Sequence, residues 1–557
     1  MNFFRKINAK IRILLIIAIL VTSSVLLTAF GSRNFEIAKN LDIFASLFRE
    51  LVINYVDDVN PAELMKTGID EMLYSLDPYT NFIPESQIED MRFMTTGQYG
   101  GIGALITTRG QYTIITEPYE GFPANKAGLL PGDRILEISG QSVRGMGSED
   151  VRELLKGQPG TTINLLIERE GEPKPLLKPV TREVVTISNL PYFGMLNENT
   201  GYIKLTGFTQ NAGREVRDAF IELRQNNKLE SIVLDLRGNG GGLLNEAVNI
   251  TNLFVEKNKL VVSTQGKLVE RNTNHRTLNN PIDTEIPLVV LVDRGSASAS
   301  EIVAGAFQDF DRGVIIGHRT FGKGLVQNVI PLSYNTQLKV TVAKYYIPSG
   351  RCIQAIDYAQ RNEDGSVAMI PDSLKKAFTT QNGRVVYDGG GIEPDIVMPP
   401  QMLSNISIAL LTRFLIFDYA NHFYRKNSSI PPAGEFEITD AIYNDFVAFL
   451  SDKDYEYETR SERLLAELKQ ASKNEKYFGA IESEYEALRQ KIIHNKEEDL
   501  ITFRGELSEL LKEEIVTRYY FQKGRVLATL SNDPEVARAL EILSNGNGYR
   551  NILAGNR

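Results

Sequence analysis

Residues 232–243, with the sequence IVLDLRGNGGGL, combine an apolar strand, a glycine-rich loop and the start of a helix. The run from Leu288 to Val292 is a second apolar strand, of the length typical of a buried position in a sheet. Between residues 187 and 400, strands of this kind alternate with helical segments, and Pro399-Pro400 closes the region. This alternation predicts an α/β domain in which helices cover the sheet.

The glycine loop at residues 238–242 lies between the predicted strand and the predicted helix. Because glycine has no side chain, backbone N–H groups in such a loop can approach a reacting oxygen and stabilise an oxyanion. A loop of the same kind can also bind phosphate at a helix N-terminus. A nucleotide site is disfavoured, since the loop lacks the GxxxxGKS or GxxxxGKT pattern.

The regions on either side of this domain differ in pattern. Residues 32–95 show helical spacing of apolar residues, and residues 96–186 show short alternating strands with glycine turns. Residues 401–557 are rich in Glu, Lys, Leu and Arg and show helical spacing, as at Ile438 and Ile442. The predicted fold class is therefore multidomain α/β and α+β, with N-terminal helices, a β-rich domain, an α/β core and a helical C-terminal extension. The extension fits a lid, an oligomerisation module or an adaptor surface.

Composition excludes several classes of protein. The 557 residues are 42% hydrophobic and 24% charged, which rules out a polytopic membrane protein and a mostly disordered chain. The net charge of −9 disfavours a nucleic-acid partner. Cys352 is the single cysteine, so the chain can form neither an internal disulfide nor a multi-cysteine zinc site. The four histidines have no metal-ligand spacing, and no cofactor is expected.

The N-terminus has the pattern of an export signal. Residues 1–12 carry four basic side chains and no acidic one, and residues 13–30 form an uncharged run of 18 residues. The basic flank should stay in the cytoplasm, so that the rest of the chain is exported. Residues 29–31, Ala-Phe-Gly, loosely fit a cleavage site. We therefore predict that residues 1–31 are a signal peptide or an N-terminal membrane anchor, and that the protein is periplasmic.

The second region holds a glycine cluster and a strand. Residues 99–104, YGGIGA, precede a predicted strand at residues 112–116. The glycines could let consecutive N–H groups turn toward one anion, and the strand offers an edge for an extended peptide. A plain turn is the more common role of such glycines.

Residues 123–136, PANKAGLLPGDRIL, are far more specific. This stretch resembles the PDZ domains of bacterial proteases, and the resemblance covers residues 96–186. It implies a domain that binds C-terminal or hydrophobic peptide segments. The residues assigned to peptide binding are those of the glycine cluster, namely Gly101, Ile102, Gly103 and Ala104.

A serine cluster, GSASASEIV at residues 295–303, follows the strand that ends at Val292. Small residues flank each serine and leave room for a substrate backbone. A serine at a helix N-terminus has amide donors beside it, which favours an acyl-enzyme nucleophile. Ser298 and Glu301 also form a capping-box pattern, which stabilises a helix by about 1 kcal/mol and needs no catalysis. From these residues alone, the cap is the favoured interpretation.

Residues 321–327, FGKGLVQ, supply a candidate base. If the stretch is extended, Lys323 and Gln327 share one face, and Gln327 could hold the lysine amine. Burial lowers the pKa of a lysine, and a neutral amine can take a serine proton. No histidine stands in a triad motif, and His318 is the nearest in sequence. A solvated lysine in a glycine turn is the structural alternative.

The combination of these motifs resembles the C-terminal processing, or tail-specific, proteases, a family of Ser–Lys peptidases. The order also matches: a helical N-terminus, LDPYT at residues 76–80, a PDZ domain, the glycine loop, the serine cluster and FGKGLVQ. The resemblance covers residues 36–400, and the stretch 345–352 is expected to border the cleft. It implies a protease core with ββα units like those of crotonase and ClpP. It implies that Ser298 is the nucleophile, that Lys323 is the general base and that Gln327 orients the lysine. It also implies that the backbone N–H groups of Ala299 and Gly242 are the oxyanion donors.

The implied function is an exported serine endopeptidase that recognises C-terminal tails and cleaves through an acyl-enzyme. Unfolded or C-terminally tagged proteins are the implied substrates, while an adaptor or activator, membrane anchoring and a homo-oligomer stay open. A non-catalytic PDZ scaffold is the alternative from another class. A penicillin-binding enzyme is disfavoured, because the SxxK pattern at Ser373 lacks its companion KTG motif. A metal hydrolase lacks ligands.

Overall fold

The computed structural model describes residues 34–361, 366–492 and 496–556. The predicted signal peptide or anchor at residues 1–31 lies outside these ranges. Among the helices in the described ranges, none combines the length and the apolar character needed to cross a membrane. The chain divides into two compact units, residues 1–82 and residues 83–557.

The first unit is helical where it is described. Helix α1 spans residues 34–54, helix α2 spans Pro61–Tyr74, and strand β1 at Asn81–Ile83 leads out of the unit. Proline at the first position suits α2, and Asn60 caps this helix by accepting from the Ala62 N–H at 3.0 Å. After α2, Asp77 accepts the backbone N–H groups of Tyr79 and Thr80, both at 2.8 Å. The predicted helical character of this region therefore agrees with the structure.

The second unit begins with a β-rich region. Its elements are α3 Ile88–Thr96, β2 Gln98–Gly101, β3 Ala104–Arg109, β4 Tyr112–Pro118, α4 Pro123–Lys126, β5 Arg134–Ile138, β6 Gln141–Ser142, α5 Ser148–Leu155, β7 Thr162–Glu168, β8 Leu176–Thr181 and β9 Glu183–Thr186. Strands β3, β4, β5, β7 and β8 form one antiparallel sheet in that order, which leaves β3 at an edge. Strand β2 pairs with β9 at the ends of the region.

A buried ion pair fixes the turn before β5. Asp133 is only 1% exposed and binds the guanidinium of Arg169 through two bonds of 2.7 Å. The same carboxylate accepts the Leu130 N–H at 2.8 Å. Without Arg169, this carboxylate would be buried unpaired, which typically costs 3–5 kcal/mol, or about a third of a domain's stability. Asp133 of the motif at residues 123–136 thus serves the fold of this region.

The third region is the α/β core. Its elements are β10 Tyr192–Met195, β11 Thr200–Lys204, α6 Ala212–Asn226, β12 Ser231–Asp235, α7 Leu244–Phe254, β13 Leu260–Gly266, β14 Thr273–Arg276, β15 Leu288–Val292, α8 Ala299–Asp309, β16 Val314–Gly317, β17 Leu325–Pro331, β18 Gln337–Tyr346, β19 Ile356–Arg361, β20 Val367–Met369, β21 Ala377–Thr379, β22 Val385–Tyr387 and β23 Ile396–Val397. Both strands predicted from apolar runs, β12 and β15, are present and buried along their whole length.

The main sheet has the order β10-β11-β12-β15-β16-β23 and is parallel except at the β10 edge. Alternate residues of its strands face opposite sides, so that Ile232 and Leu234 pack with α6, α7 and α8. Val233 points to the other side, where it packs with Val536 and Ile542 from the C-terminus. The predicted α/β and α+β fold class is confirmed, and the sheet is covered on both faces.

The C-terminal region is helical. Its helices are α9 Asn405–Thr412, α10 Leu415–Lys426, α11 Asp440–Phe449, α12 Arg460–Asn474, α13 Phe478–Ile492, α14 Lys496–Thr502, α15 Arg504–Leu530, α16 Pro534–Ser544 and α17 Gly546–Leu553. Helices α9 to α11, α14 and α15 share one apolar core. Helix α15 bends at Phe521, where φ is 53° and ψ is −153°.

This helical region contacts both neighbours within its unit. Asp418 on α10 binds Arg109 on β3 through two bonds of 2.6 Å, and Arg525 on α15 binds Glu117 on β4 at 2.7 Å. On the core side, the Tyr549 hydroxyl accepts the Leu288 N–H at 3.0 Å. Fully burying a side chain of the size of Val or Ile gives about 1.5–3 kcal/mol, so α16 and α17 stabilise the sheet that they cover.

Candidate active site

The three serines of the cluster have different environments. Ser296 and Ser300 are fully buried, and their hydroxyls donate to the carbonyl oxygens of Leu236 and Asn239, each at 2.8 Å. These two bonds tie the cluster to the residues around the glycine loop. Ser298 lies between them and is partly exposed. Of the three hydroxyls, Ser298 is thus the one that a substrate can reach.

Ser298 stands at the start of α8 in an unusual backbone conformation. Its φ is 54° and its ψ is −111°, a region that residues with a side chain rarely occupy. The strained turn presents the residue directly before the first N–H groups of α8. The Ala299 N–H donates to no protein acceptor among the described residues. This unused donor fits the prediction that Ala299 supplies an oxyanion N–H, which stays a prediction.

Glu301 joins the serine segment to the lysine segment. Its carboxylate is fully buried and accepts the backbone N–H groups of Ser298 at 2.8 Å, Gly322 at 2.7 Å and Lys323 at 2.9 Å. The Thr320 hydroxyl donates a fourth bond at 2.6 Å. Burial raises the pKa of Glu301 to about 7, although all four bonds favour the ionised carboxylate. One side chain thus holds the backbones of Ser298 and Lys323 together.

Tyr345 on β18 forms a second link between the same two segments. Its hydroxyl donates to the carbonyl oxygen of Lys323 at 2.7 Å and also lies 3.2 Å from that of Ser298. The ring is 1% exposed, and burial raises the pKa of the hydroxyl well above its usual value. The structure therefore brings together the two residues, Ser298 and Lys323, that the sequence motifs single out.

The glycine loop packs directly against the serine turn. A Cβ atom on Gly241 would lie 2.6 Å from the Ala297 carbonyl oxygen and 2.9 Å from the Cβ of Ser298, so a larger residue would push the two segments apart. The Gly241 N–H is bonded to the Asn239 side chain at 2.9 Å. The next N–H, that of Gly242, has no protein acceptor in the described ranges. Its availability fits the prediction that Gly242 is an oxyanion donor, which stays a prediction.

Gln327 differs from the geometry expected of an extended FGKGLVQ segment. Strand β17 begins only at Leu325, and a bulge interrupts its pairing with β18 between Val326 and Gln327. The Gln327 amide donates to the Thr341 hydroxyl at 3.2 Å. Lys323 precedes the strand, so the condition on which the shared face of Lys323 and Gln327 was predicted, an extended stretch through both residues, is not met. That Gln327 orients the lysine stays a prediction.

A cleft of about 720 Å³ adjoins the glycine loop. Leu243 and Glu246 line it on one side, and Gln327 and Thr341 line it on the other. It is large enough for several residues of an extended peptide. Within the described ranges, no group of three or more His, Cys, Asp or Glu side chains is arranged to hold a metal ion.

A second cavity, of about 380 Å³, lies beside the edge strand β3. Its lining includes Ile102 and Ala104 from the predicted peptide site and Leu155 from α5. Phe93 and Met94 of α3, which precedes the first strand, form an additional apolar wall. Among the strands that the structure describes, β3 pairs with β4 alone, so its other edge is open to an extended peptide.

The glycine cluster contributes to this groove in a different way from the expected anion cradle. Gly100 and Gly101 lie in β2 and pair with β9, so their N–H groups do not turn toward one anion. Gly103 alone has a left-handed backbone, with φ of 71°. Burial raises the pKa of Tyr99 to about 12, and the Gly103 backbone and the charge of Arg152 oppose this rise. Tyr99 and Arg152 thus mark the polar end of the groove.

Sequence reasoning missed the roles of Glu301 and Tyr345. Glu301 was assigned to a helix cap, and its bond to the Ser298 N–H does form half of that cap. Its three other donors come from residues 320–323, about twenty positions along the chain. The SxxE pattern was a usable signal for the cap alone. Tyr345 gave no signal beyond its place in a stretch expected to border the cleft.

Three family models match the chain. The model described as "Peptidase family S41" matches residues 199–360, and that described as "PDZ domain" matches residues 114–169. A third, described as "Probable PDZ-protease, C-terminal helical domain", matches residues 406–543. Together they cover the active-site segments, the β-rich region from β4 to β7 and most of the C-terminal helices, whereas α3 and the edge strand β3 lie outside the matched residues.

Several known proteins are similar over longer stretches. A "Carboxy-terminal-processing protease" of Bartonella bacilliformis is 37% identical over 321 residues, which cover 57% of this chain and 73% of that protein. A "C-terminal processing peptidase, chloroplastic" of Tetradesmus obliquus is 36% identical over 296 residues, covering 50% of this chain and 63% of that protein. The solved structure of a photosystem II D1 C-terminal processing protease is 31% identical and covers 64% of this chain and 87% of that chain, with a TM-score of 0.36.

Proposed function

The chain belongs to peptidase family S41, the carboxy-terminal-processing serine proteases, and we propose that it cleaves its substrates with Ser298 as nucleophile and Lys323 as general base. The protein is a serine-type peptidase with a PDZ domain, and its substrates are peptides or proteins. The observation that carries the residue assignment is the double link by which Glu301 and Tyr345 hold the backbones of Ser298 and Lys323 together.

The proposed mechanism is acyl transfer. The neutral amine of Lys323 takes the proton from the Ser298 hydroxyl as the oxygen attacks the peptide carbonyl carbon. The N–H groups of Ala299 and Gly242 stabilise the oxyanion of the tetrahedral intermediate. Lys323 then gives its proton to the leaving amine, and the C–N bond breaks. Water then attacks the acyl-enzyme while the same lysine takes its proton. The ester bond to Ser298 breaks, the lysine returns the proton to the serine oxygen, and the carboxylic acid product leaves.

We further propose that the groove beside β3 recognises the C-terminal tail of a substrate. An extended tail would add a strand to the open edge of β3. The apolar wall of Phe93, Met94 and Leu155 favours an apolar final side chain. Arg152 and Lys156 also line the cavity, but each is paired with carboxylates, Arg152 with Glu149 at 2.8 Å and Lys156 with Glu153 at 3.0 Å and with Asp90, so the apolar wall carries the proposed selectivity. The substrate class is therefore unfolded proteins with an apolar C-terminus.

The test uses the full chain in mild detergent, beside its Ser298→Ala variant. Each receives an unfolded model protein with an apolar tail and the same protein with a charged tail, and mass spectrometry locates the cuts. We expect the wild type alone to cleave, faster with the apolar tail, and a fluorophosphonate to label Ser298. Equal cleavage by the variant would refute the assignment of Ser298. Labelling without cleavage would point to a missing adaptor or activator.

We also propose that the protein is exported, on the basis of the basic and then apolar residues 1–30. The chain would stay anchored in the inner membrane or be released into the periplasm after cleavage. The test is a fusion of residues 1–60 to alkaline phosphatase, which is active only after export. An inactive fusion would refute export, and the N-terminal sequence of the mature protein decides between anchor and cleaved signal.

A further inference from the structure

The start of helix α16 places two carboxylates against the protease core. Asp533 and Glu535 bind the guanidinium of Arg237, at 2.7 Å and 2.5 Å respectively. The side chains of all three residues are at most 18% exposed. Nearly 300 residues separate Arg237 from these partners, so only the folded chain brings them together.

Arg237 is the residue from which the glycine loop begins. Its guanidinium and its backbone N–H also bind the fully buried Asp235, at 2.6 Å and 2.9 Å. Its carbonyl oxygen accepts a hydrogen bond from the Lys204 ammonium group at 2.9 Å. The next N–H, that of Gly238, donates to Asp293 at 2.8 Å. Three bonds thus hold the backbone where the loop that carries Gly242 leaves the sheet, and the guanidinium ties the same point to Asp235, Asp533 and Glu535.

The other oxygen of Glu535 contacts the segment that leads to the candidate base. It lies 3.2 Å from the Nδ1 atom of His318, the first residue after β16. The His318 N–H donates to the carbonyl oxygen of Val292 at 2.9 Å, which keeps this segment beside the strand before the serine cluster. Two residues later, Thr320 donates to Glu301. One carboxylate thus contacts the starts of two active-site segments.

We propose that Glu535, from the C-terminal helical region, is a positioning residue of the protease: it holds Arg237 at the head of the glycine loop and His318 at the head of the lysine segment. The inference rests on the proposed function, since it presumes that the loop and Lys323 act on the substrate. It gives the helical region a role in the reaction, distinct from a lid, an adaptor surface or an oligomerisation module.

The charges of the cluster indicate that a mild variant will fold. Arg237 and Lys204 supply two positive charges, and Asp235, Asp533 and Glu535 supply three negative ones. Glu535→Gln removes one negative charge and leaves the cluster balanced, with the same side-chain shape. Asp533→Asn does the same at the helix N-cap, where asparagine caps as well as aspartate. Neither change leaves an unpaired buried charge.

The experiment compares three variants of the full chain: Glu535→Gln, Asp533→Asn and the control Glu541→Gln. Glu541 lies on the same helix, pairs with Arg538 and is 65% exposed. A fluorogenic peptide gives kcat and KM, circular dichroism gives the folded fraction, and Ser298→Ala sets the background. We expect Glu535→Gln to lower kcat about tenfold per folded molecule, with KM within about twofold, because charge-assisted bonds are the stronger ones and Glu535 is not among the residues that line the cleft.

The control should keep kcat within about twofold. Unchanged kcat in Glu535→Gln, with or without a lower unfolding temperature, would overturn the inference and leave Glu535 a structural residue only. If Glu535→Gln does not fold, Asp533→Asn decides by the same criterion through Arg237. Cleavage by Ser298→Ala at the wild-type rate would instead refute the proposed function, so the two failures are distinguishable.

Discussion

Replacing Glu301 by glutamine tests whether one buried carboxylate sets the geometry of the active site. One oxygen of Glu301 accepts the Thr320 hydroxyl and the Gly322 N–H, and the other accepts the Ser298 and Lys323 N–H groups. In Glu301→Gln, an NH₂ group replaces one of these oxygens. Placed toward Ser298 and Lys323, it would face two donors that cannot turn away.

The other orientation of the glutamine amide costs less free energy, so it determines the expected loss of stability and of kcat. Toward Thr320 and Gly322, the new NH₂ meets a hydroxyl that can turn to accept, so the Gly322 N–H is the one backbone donor that loses its acceptor, while the Thr320 hydroxyl gives up its bond to residue 301. A buried N–H without a partner costs about 1–3 kcal/mol of stability. If the loss of this bond raises the activation free energy by the same amount, kcat falls about 5- to 150-fold, since 1.4 kcal/mol corresponds to a factor of ten.

The variant also changes how stability depends on pH. Because burial raises the pKa of Glu301 to about 7 in the folded protein, the folded state binds this proton more tightly than the unfolded state. The contribution of the group to stability is therefore largest below the unfolded pKa, near 4.5, and declines as the pH rises toward 7. Glu301→Gln lacks this decline between about pH 4.5 and 7.

Chemical unfolding at several pH values and kcat on a fluorogenic peptide measure both effects. Glu541→Gln, an exposed glutamate in a surface ion pair, serves as the control and should change neither quantity. The reasoning would be refuted if Glu301→Gln kept the wild-type kcat, or if its stability followed the same pH profile as the wild type.

Three further outcomes follow from the contacts. Arg525→Ala should destabilise the chain by about 3 kcal/mol in chemical unfolding, because it leaves the buried carboxylate of Glu117 unpaired; a loss below 0.5 kcal/mol would contradict this. Met94→Ser should weaken binding of an apolar-tailed peptide about tenfold in fluorescence anisotropy and should leave kcat on a short peptide unchanged. Unaltered binding would show that α3 takes no part in binding the tail. Gln327→Ala should lower kcat less than Lys323→Ala does, and the reverse order in steady-state kinetics would assign Gln327 a direct part in catalysis.

Much of the fold follows from local patterns. The apolar runs at residues 232–236 and 288–292 predicted two buried strands, and both are present. The period of two in residues 96–186 and the helical period in residues 401–557 gave the correct classes of element, because each period reflects which faces of a strand or helix are buried. The FGKGLVQ segment was less predictable, since a glycine on either side of Lys323 permits both a strand and a turn.

The sequence by itself determined which residues are candidates for chemistry: a glycine loop after a strand, serines at a helix start and a lysine between glycines. Local spacing is sufficient for these, because strand, loop and helix each form from neighbouring residues. Only the tertiary structure decided how they meet. Glu301 collects donors from residues 298 and 320–323, and Glu535 reaches Arg237 from nearly 300 positions away. Such contacts depend on which charged side chains the fold buries next to one another. The local spacing of residues does not predict this, because the partners are far apart in the chain.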